Sequence, residues 1–336
     1  MEHRYSRQTV LKNVGQGGQI AIKESSVLVV GCGGLGSVVA MYLCRAGIGT
    51  LGLVDHDRVQ LSNLHRQVLF NENDVGEWKV DATKRALVAA NSDVKVQTFN
   101  MKLTDENTEA VFSEFDFIVD GTDNFETKYL VNDACVLFNK TLIYGSVNQF
   151  DGQVALFNHN GSGNLRDLFP QMPNSNLFQN CEEAGVLGPM VGIVGSIMAM
   201  EVLKVIAQTG ETLANKLLLL DGLSYQNRKM NYRPKGNVLI KKLPKNNSSC
   251  STGKMISWHE YHTEYKDFML VDVRTSEERL AGHSGGLHLP LPELESRINE
   301  LTGYPKIAFY CQSGERAKKA AIILSTFPNI EIVSIQ

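Results

Sequence analysis

Residues Val27 to Arg66 read VLVVGCGGLGSVVAMYLCRAGIGTLGLVDHDRVQLSNLHR. A short apolar run, Val27 to Val30, meets the glycine-rich turn Gly31-Cys32-Gly33-Gly34-Leu35-Gly36. An apolar-rich stretch of helical length follows, then a second apolar run ending on Asp55. This order predicts strand, phosphate loop, helix, strand. Glycine lets a backbone turn tightly and approach a phosphate, and the N-terminus of the following helix offers free N–H groups and partial positive charge. Asp55 stands about 20 residues past the glycines, where a carboxylate ending the second strand receives a ribose hydroxyl. The stretch predicts a nucleotide site at Gly31, Gly33, Gly34, Gly36 and Asp55, without saying which nucleotide.

At 336 residues the chain exceeds one small core and is long enough for two domains. Its apolar fraction of 43% and charged fraction of 21% are those of a soluble globular protein, and a net charge of −3 gives no electrostatic reason to expect nucleic acid. The polar N-terminus carries no apolar segment behind it, and the six cysteines (Cys32, Cys44, Cys135, Cys181, Cys250, Cys311) form no C-x-x-C pair, a pattern that suits the cytoplasm. Leu187 to Met200 is free of charge but too short for a bilayer, so a buried helix is expected and no membrane partner.

Along the chain, Asp57-x-Val59-x-x-Ser62-Asn63-x-x-Arg66-Gln67 forms a polar cluster and Lys79 opens a helix running to Ala90. Val94 to Phe99 reads as a strand, Asp105 to Phe112 as a helix, and Phe117 to Asp120 as a strand that delivers Gly121-Thr122-Asp123-Asn124 to the ligand crevice. Asp123 is also expected to cap the helix that starts near Asn124. After a buried strand at Leu142 to Gly145, alternation from Val147 to Phe157 around Asp151-Gly152 predicts an antiparallel hairpin. Asn158 to Glu183 reads as a long functional loop, with strands at Lys216 to Asp221 and around Tyr225 to Tyr232 closing the domain. Composition then shifts to Lys, Asn, Ser, Gly and Pro, giving a first domain at 1–233, a linker at 234–253 and a second domain at 254–336. In the second, a strand over Phe268 to Val273, a helix from Ser276, a helix near Leu291 to Leu301 and a strand over Ile307 to Tyr310 precede the loop Cys311-Gln312-Ser313-Gly314-Glu315-Arg316 and a helix through Leu324. Successive N–H groups in such a loop make an anion-binding nest that favours a thiolate. Asp272 is expected to be a loop organiser, His283 a structural member of its own Gly282-His283 loop, and Cys32, Cys44 and Cys135 core residues.

The glycine loop with Asp55, Ser62-Asn63-x-x-Arg66-Gln67, Lys79 and Asp123-Asn124 resembles the MoeB and ThiF adenylyltransferases of ubiquitin-like sulfur carriers, relatives of ubiquitin-activating enzymes, over Arg4 to about Arg233. The second domain resembles a rhodanese, shorter at its C-terminus than the usual module, through Cys-x-x-Gly-x-Arg, the Val-Asp-Val-Arg strand end and Gly282-His283. The resemblance implies an α/β architecture: a Rossmann-like ATP-binding domain with a mixed sheet, plus a smaller α/β rhodanese-like domain. It also implies adenylation of the C-terminal glycine of a carrier ending in Gly-Gly, MoaD-like and serving molybdenum cofactor synthesis, followed by sulfur transfer. The same chemistry on the ThiS-like thiamine carrier is the alternative. Arg66 and Lys79 would neutralise phosphate charge, Asp123 would hold Mg²⁺, and Ser62, Asn63, Leu64, His65 and Asn124 would complete the ATP site. Arg7 matches an arginine that reaches a neighbouring subunit, which implies a homodimer. Cys311 would carry sulfur as a persulfide, with a cysteine desulfurase as possible donor, and Cys181 matches a position where relatives bond covalently to the carrier. Where the family commonly has zinc-binding cysteine pairs, this chain has Asn164 and Asp167 and no pair around Arg233 to Gly236, so no structural zinc is expected. Two other classes stay open: an NAD-dependent dehydrogenase, which leaves Lys79 and the Ser62-to-Arg66 cluster without a role, and a non-catalytic carrier-binding scaffold.

Overall fold

The computed structural model describes residues 4–172, 185–235, 240–243, 254–294, 296–301, 303–324 and 330–335. Cys181, Cys250 and most of the expected linker lie outside the described residues. The chain divides into two units, Met1–Lys245 and Asn246–Gln336.

The first unit holds, among the described residues, an eight-stranded sheet. Its strands are β1 (Ser26–Val30), β2 (Thr50–Asp55), β3 (Lys95–Asn100), β4 (Phe117–Asp120), β5 (Thr141–Asn148), β6 (Asp151–Phe157), β7 (Lys216–Asp221) and β8 (Asn227–Asn231). Their spatial order is β3-β2-β1-β4-β5-β6-β7-β8. β1 to β5 run parallel and β5 to β8 antiparallel, so the sheet is mixed. Four of the five β1 residues are buried, as expected of a strand covered on both faces. The chain leaves β1 toward β2 on one side and later returns as β4 on the other, and the crevice between them opens beyond their carboxyl ends.

The glycine turn sits at that crevice. The Gly34–Ala46 helix starts from it and ends on Gly47, whose φ of +86° makes a left-handed cap that glycine tolerates. The charge-free stretch opens the Gly188–Ile206 helix, which is long and apolar enough to cross a membrane by length and composition alone. It packs instead on the first unit's own core: a Cβ at Gly195 would sit 2.8 Å from Val38 Cβ, and one at Gly145 of β5 would sit 2.1 Å from Met198 Sδ. Its Glu201, 2% exposed, accepts from Lys204 Nζ at 2.7 Å and from the Leu213 N–H.

Several expected elements differ in detail. The β5–β6 turn falls at Gln149-Phe150, since Asn148 pairs with Asp151, and Gln149 takes the left-handed conformation (φ +52°) that the turn demands. The loop after β6 contains a short helix, Leu165–Leu168, where Asn164 and Asp167 form a reciprocal capping box. The Asp167 carboxylate also accepts from the Lys235 N–H at 2.7 Å. This hydrogen bond ties the loop to the segment after β8.

The second unit is an all-parallel sheet among its described residues, with β9 (Lys254–Ile256), β10 (Met269–Asp272), β11 (Leu287–His288), β12 (Lys306–Tyr310) and β13 (Glu331–Ile335) in the order β11-β10-β12-β13-β9. The described residues between 291 and 301 form two 3-10 turns, Leu291–Glu293 and Ile298–Glu300, where a helix was expected; Pro290 and Pro292 lack the N–H donors that its first turn would use. A helix at Trp258–Glu264, capped by Ser257 with Glu260, was not anticipated.

The glycine crossing is the tightest point of the first unit: a Cβ at Gly36 would lie 1.8 Å from Gly31 O. Gly36→Ala is expected to destabilise the first unit by about 3 kcal/mol in urea denaturation, because backbone must move to admit the methyl. An unchanged midpoint would show that the crossing is looser than described.

Candidate active site

One pocket opens at the carboxyl ends of β1, β2 and β4, lined by Gly31, Gly33, Gly34, Asp55, Arg66, Lys79, Asp123 and Asn124 among others. Gly31, at φ +88°, donates its N–H to Val54 O at 2.7 Å and turns the chain out of β1. No side chain caps the helix that follows, whose N-cap is Gly33, so its first N–H groups are left for a ligand. A Cβ at Gly33 would meet nothing closer than Gln67 Nε2 at 3.7 Å, whereas one at Gly34 would strike Val191 at 2.7 Å. Gly33 faces open space; Gly34 is pinned against the Gly188–Ile206 helix. Gly36 lies outside the pocket wall and serves the crossing.

Asp55 joins the first two strand ends. Its Oδ2 accepts from the Cys32 N–H at 2.7 Å and its Oδ1 from the Asp57 N–H at 2.8 Å. Burial pushes its carboxyl pKa up, and the Lys79 charge pulls against that shift. Lys79, 7% exposed at the start of the Lys79–Ala90 helix, holds its ammonium 2.8 Å from Asp57 Oδ2. Arg66 donates to Ser62 O at 3.0 Å and lies 2.8 Å from His65 Nε2. Ser62, Asn63, Leu64 and His65 do not line the pocket. The first two belong to the Leu61–Asn63 turn, in which buried Asn63 accepts from the Gln60 N–H, while Leu64 packs on Val59, Phe70 and Ala82. These residues hold Arg66 in place. Arg7 is exposed on the Ser6–Thr9 helix and does not line its own chain's pocket.

At the β4 end the helix cap is Asn124, whose side chain accepts from the Thr127 N–H at 2.9 Å, and not Asp123. Asp123 is thereby left exposed on the pocket wall, its carboxylate accepting no hydrogen bond from the described residues. An unclaimed carboxylate beside a phosphate loop is a fitting oxygen ligand for Mg²⁺. Beneath it, fully buried Asp120 takes Thr122 Oγ1 at 2.6 Å and Lys128 Nζ at 3.2 Å, and the same ammonium donates to Gly145 O at 2.7 Å. Burial works to depress the Lys128 pKa, but Asp120, Tyr144 and Asp123 together outweigh it and the net shift is upward. The sequence reading missed Lys128, although its place one turn past the cap was legible, and it also missed Lys102, an exposed cation on the pocket wall.

In the second unit Cys311, 7% exposed, follows β12 directly, and Gly314 (φ +80°) turns the loop into the Glu315–Leu324 helix. Gln312, Ser313 and Glu315 are exposed. Arg316 reaches the Cys311 thiol and is gripped by Glu278 at 2.7 and 2.6 Å. Asp272, buried at the adjacent β10 end, takes Arg274 through Nε and Nη2, each at 2.9 Å, and the Tyr310 hydroxyl at 2.9 Å. Burial works to raise its pKa; the arginine and tyrosine hydrogen bonds reverse the shift downward. Asp272 is an organiser of the loop, and His283 Nδ1 accepts the Gly285 N–H within its own turn.

Residues 5–239 match the ThiF family. The chain is 37% identical to the adenylyltransferase and sulfurtransferase MOCS3 of Aedes aegypti, across 96% of this chain and 81% of that protein. It is 45% identical to the MOCS3 of Anopheles gambiae across 69% of this chain, a match that spans about half (53%) of that relative's length. The sulfur carrier protein adenylyltransferase of Thermus thermophilus is 47% identical over 68% of this chain and 87% of its own. Among solved structures, E. coli MccB with ATP superposes with a TM-score of 0.63 at 27% identity, covering 71% of this chain and 74% of that one.

Removing one partner of the buried Lys128–Asp120 pair strands the other. Lys128→Met is expected to cost about 3–5 kcal/mol in urea denaturation, with much of that recovered in the Lys128→Met/Asp120→Asn double variant. Additive losses would show that the two charges do not interact. The Arg316 and Thr275 hydrogen bonds hold the Glu278 pKa down to about 2 from an ordinary 4.5. A depressed carboxylate contributes stability that is present above pH 4.5 and lost as pH falls toward 2. Trp258 fluorescence should therefore report acid loosening of the second unit in that window, and Glu278→Gln should remove this part of the pH dependence. Identical profiles would mean that the pair contributes nothing.

Proposed function

The chain belongs to the ThiF family, and from that premise we propose that it binds ATP and adenylates the C-terminal glycine of a ubiquitin-like sulfur carrier, then passes sulfur to the activated carboxyl group. The observation that carries this reading is the conjunction in one pocket of an uncapped helix N-terminus on a glycine loop, two cations, Arg66 and Lys79, and the unclaimed Asp123 carboxylate. An NAD site needs neither the cations nor that carboxylate. The MOCS3 and sulfur carrier protein adenylyltransferase relatives favour the same chemistry, and a MoaD-like carrier of molybdenum cofactor synthesis.

A carboxylate is already ionised at neutral pH, so its attack on the α-phosphorus needs no general base. Charge neutralisation and alignment carry the rate. Lys79 is presented to the pocket by its Asp57 partner and Arg66 by Ser62 and His65. Asp55 receives the ribose. Asp123 would hold Mg²⁺, which when bound shields charge on the phosphates. The reaction releases pyrophosphate and leaves the carrier as an acyl adenylate. The terminal sulfur of a Cys311 persulfide then attacks the acyl carbon, and AMP departs with the C–O bonding pair, leaving the carrier joined to Cys311 as an acyl disulfide. A thiol reductant then attacks Cys311 Sγ, forming a mixed disulfide with it and releasing the carrier thiocarboxylate.

The sulfur donor we favour is a cysteine desulfurase. Glu278 neutralises Arg316, and Glu315 adds negative charge, so the loop offers no excess cation for a small inorganic anion. A homodimer is supported by exposed apolar side chains on Ile20, Tyr42, Ile193 and Met200 of the first unit. The cytoplasm suits its free buried thiols.

Exchange of labelled pyrophosphate into ATP tests this reading. It should require a carrier ending in Gly-Gly and Mg²⁺, and fall on the order of 10²–10³-fold in Asp123→Ala and Arg66→Ala. Cys311→Ser should leave exchange intact and abolish thiocarboxylate formation. Exchange that ignores the carrier, or survives both pocket variants, refutes adenylation at this site.

A further inference from the structure

Gln67 is the one polar side chain of the pocket wall that is buried with an unpartnered polar atom among the described residues. It is 4% exposed, yet Oε1 has no hydrogen-bond partner. Its Nε2 faces Gly33, the glycine whose pocket side is open: a Cβ built there meets that nitrogen at 3.7 Å and nothing else within 4 Å. Only the backbone of Gln67 is engaged, donating to Asn63 O at 3.0 Å and accepting from the Phe70 N–H at 3.2 Å. Its neighbour Arg66 brings its own carbonyl against Gly34, so this short segment lies along the phosphate loop. Buried amides are normally satisfied on both ends, and an exception inside a pocket calls for a ligand.

Resting on the adenylation reading, we propose that Gln67 bridges the two reactants: Nε2 donates to the phosphate seated on Gly33, and Oε1 accepts from the last backbone N–H of the carrier tail. The chemistry selects this pairing. A phosphate offers acceptors only, and a peptide tail approaching it leads with a carboxylate and carries N–H donors behind. A carboxamide serves one of each, which neither a carboxylate nor an ammonium in that place can do. The side chain thereby fixes the distance between the attacking carboxylate and the α-phosphorus, and it specifies a peptide over a free small acid. The Gln67 side chain has no hydrogen-bond partner among the described residues to lose, so its role separates from folding.

Gln67→Met keeps the shape and removes both hydrogen-bonding ends. The melting temperature should hold or rise, since an unsatisfied amide leaves the core. Carrier-dependent pyrophosphate exchange should fall about 10- to 100-fold in kcat/KM, with the KM for carrier affected. Gln67→Glu keeps the acceptor and puts a negative charge beside the phosphate, so the KM for ATP should rise by about tenfold or more. A melting temperature that falls with activity unchanged would assign Gln67 to structure alone and overturn the proposal. So would wild-type kinetics in both variants. If Gln67→Met does not fold, Gln67→Glu decides by its ATP KM. If wild-type protein shows no carrier-dependent exchange, adenylation has failed; calorimetric titration of Gln67→Glu with ATP alone then reads the phosphate contact separately, and unchanged affinity overturns it.

Discussion

Three glycines converge where the nucleotide pocket is made. Gly31 leaves β1, Gly121 leaves β4 and Gly36 lies in the first helical turn, and a Cβ at Gly36 or Gly121 would stand within 3.1 Å of backbone from the others. The absence of three side chains brings two strand ends and a helix N-terminus to one point. From that point the rest of the pocket follows. Asp55 can reach across to the Cys32 N–H only because the loop lies this close to β2, and Asp123 arrives on the pocket wall only because β4 ends against the same crossing.

Charges around the crossing are placed by burial and by partners working against each other. Burial works to lower the Lys128 pKa, and Asp120 with its neighbours Tyr144 and Asp123 turns the net shift upward. The ammonium then spans β4 and β5 through Asp120 and Gly145 O, which stiffens the strand end that presents Asp123. In the second unit the same opposition recurs around Asp272 beneath the Cys311 loop, where burial works to raise the carboxyl pKa and the Arg274 and Tyr310 hydrogen bonds bring it down. Removing one partner from such a site costs several times what an exposed pair is worth.

Much of this was legible in the residues. The glycine turn with Asp55 carries its own phosphate-loop geometry, and the strand ends at Asp120 and Tyr310 followed from apolar runs stopping at polar loops. What escaped had a physical reason. Asp123 looked like a helix cap because capping propensity does not distinguish it from Asn124 beside it, and the capping geometry selected the asparagine. Pro290 and Pro292 argued against a helix that apolar spacing suggested from Leu291 to Leu301. The Ser257-to-Glu260 capping box announced the Trp258–Glu264 helix, but it adjoins a stretch of linker composition and was passed over. Lys128 and Gln67 could not be ranked from sequence, since burial without a partner or with a single one is a property of the packed chain.

The central claim is that a carrier's terminal carboxylate attacks the α-phosphorus of ATP in the Gly33–Asp123 pocket. Label in the oxygen tests it most directly. A carrier carrying oxygen-18 in its C-terminal carboxylate is incubated with the protein, ATP, Mg²⁺ and a persulfide donor, and the AMP released on sulfur transfer is weighed by mass spectrometry. The account predicts one labelled oxygen in each AMP formed, because the bridging atom stays with phosphorus when the acyl group leaves. AMP released without label would contradict it, placing the attack elsewhere or the phosphate chemistry apart from the carrier.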